Sequence, residues 1–234
     1  MSMPSKTWGC YERLRPDQIE TIQQETSIAY LPWGALEWHS YHNPVGLDGI
    51  KAHGLCKALA QETGGVVLPP VYVATDTIKP FKGFKHSIEH RSDTVRALCR
   101  EFLEQLVDEG FQVIILVTGH YGGGHLRAIR ETADAFSRAH PKVRLWAFPD
   151  SEPLEGLYAA NHAARGETSF QLLFDPEPVN QSLLPVDREA TLDDDGVWGE
   201  DPRKASADEG AAMLRAFLER SLPKIRTLLQ EAIS

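Results

Sequence analysis

The sequence predicts an α/β protein in which a mostly parallel sheet is covered by helices on both faces. Short apolar segments alternate with amphipathic segments of roughly 10 to 19 residues, which is the pattern of parallel strands joined by crossover helices. Residues 112–117 (QVIILV) form a continuous apolar run, as expected for a strand buried on both faces. In such sheets ligands bind at the carboxyl ends of the strands, and metal-capable side chains follow several predicted strands directly.

The first half of the chain begins with two strand regions and a helix between them. Residues 27–32 (SIAYLP) are a short apolar strand that ends near a proline. A helix starts around Asp48, a candidate N-cap, and ends at Gly64 and Gly65, which favour helix termination. Residues 66–74 are rich in β-forming residues but contain two prolines, so strand pairing is expected to be interrupted there.

The segment 92–110 is the clearest helix in the chain. Ser92 or Asp93 is expected to cap its N-terminus, and Gly110 is expected to stop it. Its apolar residues recur at helical spacing and form one stripe, which consists of Val95, Leu98, Cys99, Phe102 and Leu106. The stripe indicates a helix that packs one face against the sheet.

The second half continues the alternation of strands and helices. After the strand at 112–117, the pattern predicts a helix at 126–140, a strand at 143–148, a helix over parts of 151–164 and a helix beginning near Ser169. The stretch 192–206 is expected to be an acidic loop that contains glycines. Residues 205–232 are largely helical, and Pro223 is expected to kink or split that helix.

A chain of 234 residues is long enough for one large α/β domain or two small ones, and we expect one domain spanning residues 1–234. Hydrophobic residues make up 42% of the chain, and no linker-like stretch divides it. The net charge of −9 argues against a nucleic-acid partner, and no apolar run approaches the roughly 20 residues of a membrane span. The N-terminal sequence lacks a signal-peptide pattern, and the three cysteines are scattered, as in a reducing compartment. We therefore expect a cytoplasmic protein.

The stretch from Gly34 to Asp48 concentrates metal-capable side chains in one connector. Glu37 and His39 are two residues apart, so in an extended segment they point to the same side. Asp48 follows at a predicted helix start, and a loop containing Pro44 can return it to the same volume. Such a set suits a divalent ion such as Zn²⁺, Mn²⁺ or Fe²⁺. The alternative is a chance Glu-x-His pair beside an aspartate that only caps a helix.

Two later segments offer further candidates. His120 follows the buried strand and precedes Tyr-Gly-Gly-Gly, where glycines permit close approach of a ligand; it could also cap the next helix or lie in the core. His125 is a weaker candidate, expected in the first turn of that helix and exposed. His162 and Glu167 lie in the segment NHAARGETSF, which could alternatively be a helix N-terminus that favours acidic residues.

Together these motifs resemble the creatininase family of creatinine amidohydrolase-like metallohydrolases. The family's Gly-Ser-x-Glu-x-His-Gly-Pro-His-Leu-Pro pattern and the aspartate after it are matched without a gap by Gly34, Glu37, His39, His42, Pro44 and Asp48. The segments VTGHYGGG (117–124) and HAARGETS (162–169) match two further motifs. A fourth is approximated by GVWGEDP (196–202), with Glu200 as an extra residue. The resemblance covers about residues 15–215.

The resemblance implies a single three-layer α/β/α domain with one or two divalent metal ions, Zn, Mn or Fe. It implies one ion held by Glu37, Asp48 and His120 and a second held by His39, Asp48 and Glu167. Asp48 would bridge the two ions. Creatininases proper carry a glutamate at the position of Gly122, which has no side chain to offer, so Glu167 is expected to complete the second site.

The reaction that the resemblance implies is attack of a metal-activated water on an amide or amidine carbon. His162 matches the family's catalytic histidine and is expected to carry a proton to the leaving nitrogen, since its ordinary pKa of about 6.5 suits that task. Glu167 is expected to share in catalysis, and His42 could orient a ligand or only pack. We therefore expect a metal-dependent amidohydrolase that cleaves a non-peptide C–N bond in a cyclic amide, lactam or formamide.

Two alternatives stay open on the sequence alone. Some relatives act on peptides or on a formamidopyrimidine nucleotide, and a phosphorylated substrate would require basic residues, which here are Lys79, Lys82, Lys85 and Arg91. The chain could also be a binding relative without turnover. The resemblance further implies a small-molecule substrate and a homo-oligomer, often a hexamer in the family.

Creatinine itself is not the expected substrate. Creatininases carry a Trp-Asp pair where this chain has Tyr158 and Ala159. The expected substrate contacts are Tyr121, Ser87, Trp38 and Tyr158. Further candidates, with simple packing as the alternative, are His90, Trp33 and Tyr41.

Overall fold

Five parallel strands form the central sheet in the computed structural model, which describes residues 6–233. They are β1 (Trp8–Cys10), β2 (Ile28–Trp33), β3 (Gly65–Val67), β4 (Val113–Thr118) and β5 (Arg144–Pro149). Their order across the sheet is β1-β3-β2-β4-β5, and every neighbouring pair is parallel. The predicted α/β class with a mostly parallel sheet is therefore confirmed.

Helices cover both faces of the sheet. Within the described residues they are α1 (Pro16–Glu25), α2 (Leu47–Thr63), α3 (Ile78–Lys82), α4 (Ser92–Asp108), α5 (Gly123–Ala139), α6 (Arg165–Phe174), α7 (Leu192–Asp195) and α8 (Ala207–Ile233). Side chains of α1, α4 and α5 pack into one apolar core. Those of α2, α6 and α8 pack into another on the opposite face. The helices on one face, the sheet, and the helices on the other face make up three layers.

Alternate residues of the central strands point into opposite cores. In β2, Tyr30 packs on the α2 side and Leu31 on the α4 side. In β4, Ile115 and Leu116 divide in the same way. All six residues of each strand are buried, and burying one such aliphatic side chain contributes about 1.5–3 kcal/mol. The unbroken apolar run at 112–117, which predicted β4, is the direct consequence of burial on both faces.

The direction of winding reverses between β2 and β4. From β2 the chain passes through α2 to β3 on one side, and from β4 it passes through α5 to β5 on the other. Trp33 and Thr118, the last residues of the two strands, are paired neighbours. The loops that follow them therefore start side by side, between helices on opposite faces. Ligand sites of parallel sheets lie at such a crevice.

Several predicted elements differ from the observed ones. The predicted helix within 151–164 is wrong, because this segment, which contains Pro153 and Gly156, forms turns. The next helix begins at Arg165, four residues before the predicted start at Ser169. The predicted strand over 66–74 shrinks to three residues, because the prolines that follow cannot donate to a ladder.

The long C-terminal helix is not split by its proline. Pro223 lies inside α8, which continues to the end of the described residues. Phe217 and Ile225, on either side of it, are completely buried, so packing holds both halves against the sheet. The predicted loop at 192–206 also contains short helical turns, α7 and a 3-10 turn at Pro202–Lys204.

The predicted helix caps are wrong by one or two residues. The N-cap of α2 is Gly46, and Asp48 is its second helical residue. The N-cap of α4 is Arg91 rather than Ser92 or Asp93. The side chain of Asp48 is therefore free for a role other than capping.

No helix within residues 6–233 has the length and apolar character needed to cross a membrane. The expectation that the chain begins without a signal peptide falls partly on residues 1–5, which lie outside the described residues.

Candidate metal centre

The N-terminus of α2 is wedged against the ends of both central strands. A Cβ atom on Gly34, just after β2, would lie 2.3 Å from the Gly49 nitrogen. A Cβ atom on Gly119, just after β4, would lie 2.2 Å from the Asp48 carbonyl oxygen. Only glycine permits this approach of backbone to backbone. The two glycines therefore place Asp48 directly between the connectors that carry Glu37 and His120.

The two carboxylate oxygens of Asp48 face two different histidines. Oδ1 lies 3.2 Å from His39 Nε2, and Oδ2 lies 3.3 Å from His120 Nδ1. His120 Nδ1 is also 2.8 Å from Glu37 Oε1, and His39 Nε2 is 3.7 Å from Glu167 Oε2. Each of these five residues is at most 4% exposed. A single buried aspartate is thus shared by two ligand sets.

These contacts define two groups of potential metal ligands. The first group is Glu37, Asp48 and His120, and the second group is His39, Asp48 and Glu167. Within each group, one nitrogen or oxygen atom per residue lies within 4.8 Å of those of the other two. The structure therefore brings together all five residues that the resemblance in sequence implied as ligands.

The histidines are oriented so that the nitrogen not bonded to a backbone carbonyl faces the centre. His39 Nδ1 lies 3.1 Å from the Glu37 carbonyl oxygen, and His120 Nε2 lies 3.1 Å from the Thr75 carbonyl oxygen. A carbonyl only accepts hydrogen bonds, so these nitrogens donate, and the opposite nitrogens point inward. Backbone carbonyls commonly orient metal-binding histidines in this way. His39 Nε2 is buried and makes no hydrogen bond of good geometry, although Asp48 Oδ1 lies 3.2 Å away; a cation bound there would satisfy it.

The electrostatics of the cluster favour positive charge. Burial opposes charge on His39, but the carboxylates of Asp48 and Glu167 outweigh it and raise the pKa of His39 to about 9. Burial likewise opposes charge on His120, yet Glu37 and Asp48 raise its pKa well above the usual value. Burial would raise the pKa of Asp48, and the two histidines hold it well below its ordinary value instead. The residues present thus fit divalent cations, whose charge would replace these protons.

His162 lies at the mouth of the centre. Its ring stacks on that of His39 with centroids 4.5 Å apart, and its Nδ1 is 3.9 Å from Glu37 Oε1. Its Nε2 donates to the Trp38 carbonyl oxygen at 2.8 Å, so Nδ1 carries the lone pair. Burial and then the neighbouring His39 lower the pKa of His162. A neutral imidazole is therefore held with its basic nitrogen towards the carboxylates.

A cavity of about 280 Å³ opens above the two groups. Its polar floor includes Glu37, Asp48, His120, His162 and Glu167. Its apolar walls are Ile78, Phe81, Leu192 and Trp198. A larger depression of about 700 Å³ lies at the amino ends of the strands, and no histidine or cysteine lines it. Of these two, the smaller cavity, at the carboxyl ends, is the one lined by histidines together with carboxylates.

Sequence reasoning missed a buried lysine beside the centre. Lys51 is fully buried, and its Nζ lies 2.7 Å from Glu167 Oε1 and 3.3 Å from Asp150 Oδ2. It also donates to the Tyr121 hydroxyl at 2.8 Å, and that hydroxyl donates to Asp150. Burial opposes charge on Lys51, but Asp150 and Glu167 raise its pKa well above the usual value. Removing one member of such a buried ion pair costs about 3–5 kcal/mol.

Two sequence signals could have revealed this cluster. Lys51 follows Asp48 by three residues, which places both on one face of a helix. Asp150 follows β5 directly, at the same edge of the sheet as the other candidates. Lys51 was overlooked because lysine on a helix is ordinarily exposed.

The comparison with known protein families is decisive about the family. The model of the family named Creatininase, described as creatinine amidohydrolase, matches residues 12–224. The chain belongs to the creatininase family. A creatinine amidohydrolase of Pseudomonas putida is 25% identical over 220 residues, which cover 86% of this chain and 82% of that protein.

Solved creatininase structures share the fold. A mutant creatininase with a tryptophan-to-phenylalanine substitution superposes with a TM-score of 0.81 at 18% identity, covering 94% of this chain and 98% of that one. A structure named "Creatininase Mn" superposes with a TM-score of 0.77 at 19% identity, with the same coverage of both chains. At these identities the likeness establishes the three-layer creatininase fold.

The structure around Gly122 has no room for a side chain. A Cβ atom there would lie 2.4 Å from the Asp76 carbonyl oxygen and 2.6 Å from His120 Nε2. The glutamate expected at this position in creatininases proper has no room in this backbone. Glu167 lies instead beside His39 and Asp48, held by a hydrogen bond from the Ala163 N–H to its Oε2 at 2.8 Å.

The four predicted substrate contacts lie in different places. Tyr121 lines the cavity. Trp38, Ser87 and Tyr158 do not: the Ser87 hydroxyl accepts from the Trp38 N–H at 2.9 Å, and Tyr158 borders a small void behind Glu167. Their contact with substrate stays a prediction, and the structure shows them packing around the site.

The remaining sequence candidates have packing roles or face solvent. His125 was expected to be exposed, but it is fully buried and its Nε2 lies 3.2 Å from the Thr118 hydroxyl. His42 is also buried, 3.1 Å from the Thr168 hydroxyl. Trp33 lies in the core and Tyr41 is 72% exposed. His90 is not among the residues that line the cavity.

Proposed function

We propose that the protein is a metal-dependent amidohydrolase that cleaves a non-peptide C–N bond in a small molecule, such as a cyclic amide, lactam or formamide. The observation that carries the proposal is the buried Asp48, whose two oxygens each face a different histidine at 3.2 and 3.3 Å. Divalent cations bound at such a site supply a water of lowered pKa and polarise the carbonyl of an amide. Membership of the creatininase family supports the same reaction class.

The proposed roles of the side chains follow from their positions. Glu37, Asp48 and His120 would hold one divalent cation, and His39, Asp48 and Glu167 would hold a second. His162 is the proposed proton carrier, because its Nδ1 faces the centre while its Nε2 is fixed by a backbone carbonyl. A base at this position would take a proton from the attacking water and pass it to the leaving nitrogen as the C–N bond breaks.

The lining of the cavity favours an uncharged substrate. Among the described residues that line it there is no lysine or arginine. None of the four basic residues considered for a phosphorylated substrate lines this cavity. Lys79 donates to the Ser87 carbonyl oxygen, and Lys82 pairs with Asp193. Apolar walls around a polar floor suit a small amide with an apolar portion. The nucleotide alternative is correspondingly disfavoured.

The proposal is tested by counting metal ions in a matched pair of histidine variants. Wild-type protein is stripped with chelator, reloaded with Zn²⁺, Mn²⁺ or Fe²⁺, and assayed by elemental analysis. We expect up to two ions per chain in the wild type and loss of at least one in His120→Gln. The control, His125→Gln, should keep its ions, because His125 belongs to neither ligand group.

Hydrolysis is measured on the same samples with a panel of lactams, cyclic amides and formamides, by released ammonia, formate or ring-opened product. His120→Gln should lower kcat/KM by roughly 100-fold or more, since changes to residues that only support a metal ligand already cost 10- to 100-fold. A wild-type protein that binds no divalent cation would overturn the proposal. Stoichiometric binding without hydrolysis of any compound would instead identify a binding relative.

A further inference from the structure

Within residues 6–233, Lys51 is the one lysine or arginine side chain in contact with the proposed metal ligands, and the mechanism above gives it no role. Its Nζ lies 2.7 Å from Glu167 Oε1, so one of the two oxygens of that ligand is already engaged by a positive charge. The other oxygen, Oε2, accepts the Ala163 N–H and faces His39 at 3.7 Å. Only one oxygen of Glu167, Oε2, therefore faces His39 in the second ligand group, and this oxygen also accepts the Ala163 N–H.

The first ligand group contains no comparable competitor. Glu37 directs Oε1 to His120 at 2.8 Å, and its Oε2 accepts only the neutral Ile78 N–H at 2.7 Å. Within the described residues, Glu37 is thus paired with no lysine or arginine side chain. The two groups share Asp48 but differ in whether their own glutamate is paired with a lysine.

We propose that Lys51 is a positioning residue that makes the two cation positions unequal, the first group binding tightly and the second group weakly. This inference rests on the proposed metal centre. Two effects act in the same direction. The ammonium group withdraws Glu167 Oε1 from coordination, and it repels a second cation from a short distance inside a buried site where screening is weak.

Asp150 and Tyr121 fix Lys51 in this position. Asp150 is buried, its Oδ2 lies 3.3 Å from Nζ, and the Tyr121 hydroxyl accepts from Nζ at 2.8 Å. Asp150 lies at the end of β5 and belongs to neither ligand group. It therefore shares the charge of Lys51 with Glu167, and its removal would leave Glu167 as the only carboxylate partner of the lysine.

Two substitutions with opposite expected effects test the inference. Lys51→Met removes the charge but keeps an unbranched side chain, so it frees Glu167 Oε1. The affinity for the second cation should rise by tenfold or more. Asp150→Asn keeps Lys51 but removes its other carboxylate partner, so Lys51 pairs with Glu167 alone. The affinity for the second cation should then fall by a few fold or more. Neither change touches Glu37 or His120, so the affinity of the first cation should change less than threefold.

The measurement is titration of stripped protein with Mn²⁺ or Zn²⁺ against a competing chelator, which gives two dissociation constants for each variant. Circular dichroism checks that the variants are folded. We expect the second dissociation constant to be at least tenfold larger than the first in the wild type, with the ratio smaller in Lys51→Met and larger in Asp150→Asn. A role of Lys51 in folding alone would shift both constants together.

The outcomes separate this inference from the proposed function. Two equally tight cations in the wild type, or an unchanged ratio in Lys51→Met, would overturn the role of Lys51 and leave the amidohydrolase proposal standing. If Lys51→Met does not fold, an unchanged or smaller ratio in Asp150→Asn overturns the role. A wild-type chain that takes up no cation would overturn both.

Discussion

At the scale of single residues, the site is governed by which atom of each side chain is already occupied. The outward nitrogens of His39 and His120 donate to backbone carbonyls, so their inward nitrogens are available. The outward oxygen of Glu167 is engaged by Lys51, and its inward oxygen is not. The same residue types without these outer partners would present different atoms and different charge to a ligand.

His42 provides a prediction at this scale. It is completely buried beside the Thr168 hydroxyl, and burial, then the charge of His39, lowers its pKa from 6.5 to about 4. The unfolded chain therefore takes up this proton at a higher pH than the folded chain. The stabilising contribution is fully present above about pH 6.5 and is lost as the pH falls towards 4, by roughly 3 kcal/mol in total.

The measurement is urea denaturation of the wild type and His42→Gln at several pH values between 4 and 7.5. The difference between the two free energies of unfolding isolates His42 from the other titrating groups. We expect the wild type to lose stability relative to the variant as the pH falls. A difference that stays constant over this range would contradict the depressed pKa.

At the scale of secondary-structure elements, close backbone contacts set the geometry of the centre. Gly34 and Gly119 let the N-terminus of α2 touch the ends of β2 and β4. Gly122 lets the start of α5 pass beside Asp76 and His120. Because these elements meet backbone to backbone, a side chain at any of these glycines would separate the connectors that carry the ligands.

The neighbouring glycines 122 and 123 provide a matched test. A Cβ atom on Gly122 would lie 2.6 Å from His120 Nε2, whereas one on Gly123 would meet only Asp76 Oδ2, at 3.8 Å. We expect Gly122→Ala to lower the free energy of unfolding by about 1–3 kcal/mol and to weaken the first cation. Gly123→Ala, in the first turn of α5, should be neutral or slightly stabilising.

Thermal denaturation and metal titration of the two alanine variants check this expectation. A Gly122→Ala protein with wild-type stability and metal affinity would show that the backbone relaxes there at no cost. Equal losses in both variants would point to a general sensitivity of the helix start instead.

At the scale of the whole molecule, the centre is the meeting point of parts that are distant along the chain. β2, α2, β4 and α6 each contribute a ligand-bearing residue or the connector that holds one. A cation bound there would tie together the two central strands and helices on one face of the sheet. Since such a site does not exist in the unfolded chain, cation binding would stabilise the folded state.

Removal of metal should accordingly lower the thermal midpoint. At a free cation concentration 100 times the dissociation constant, one ion contributes about 2.7 kcal/mol, which for a domain of this size corresponds to roughly 5–10 °C. We expect chelator to lower the midpoint of wild-type protein by this amount and added Mn²⁺ to restore it. Asp48→Asn, which lacks the shared ligand, should be insensitive to both. A wild-type midpoint unaffected by chelator would contradict metal-linked stability.

Much of this architecture could be predicted from local pattern alone. The continuous apolar run at 112–117 predicted a buried strand, and the apolar stripe at 92–110 predicted a helix through its periodicity. The Glu-x-His…Asp spacing predicted side chains that lie close together, and the structure brings them together. The helix proposed within 151–164 failed, and α1, α3 and β1 were not foreseen, because short or turn-rich segments take their conformation from packing rather than from periodicity.

The sequence by itself determined the class of sheet, the family and the set of candidate ligands, since these depend on residue types and on spacings along the chain. Only the tertiary structure decided that Lys51 and Asp150 belong beside Glu167, that Gly122 has no room for a side chain, and that Lys79 and Lys82 do not line the cavity. The physical reason is that the charge and room available to a side chain depend on neighbours brought together by the fold, which lie up to 116 positions apart for Lys51 and Glu167.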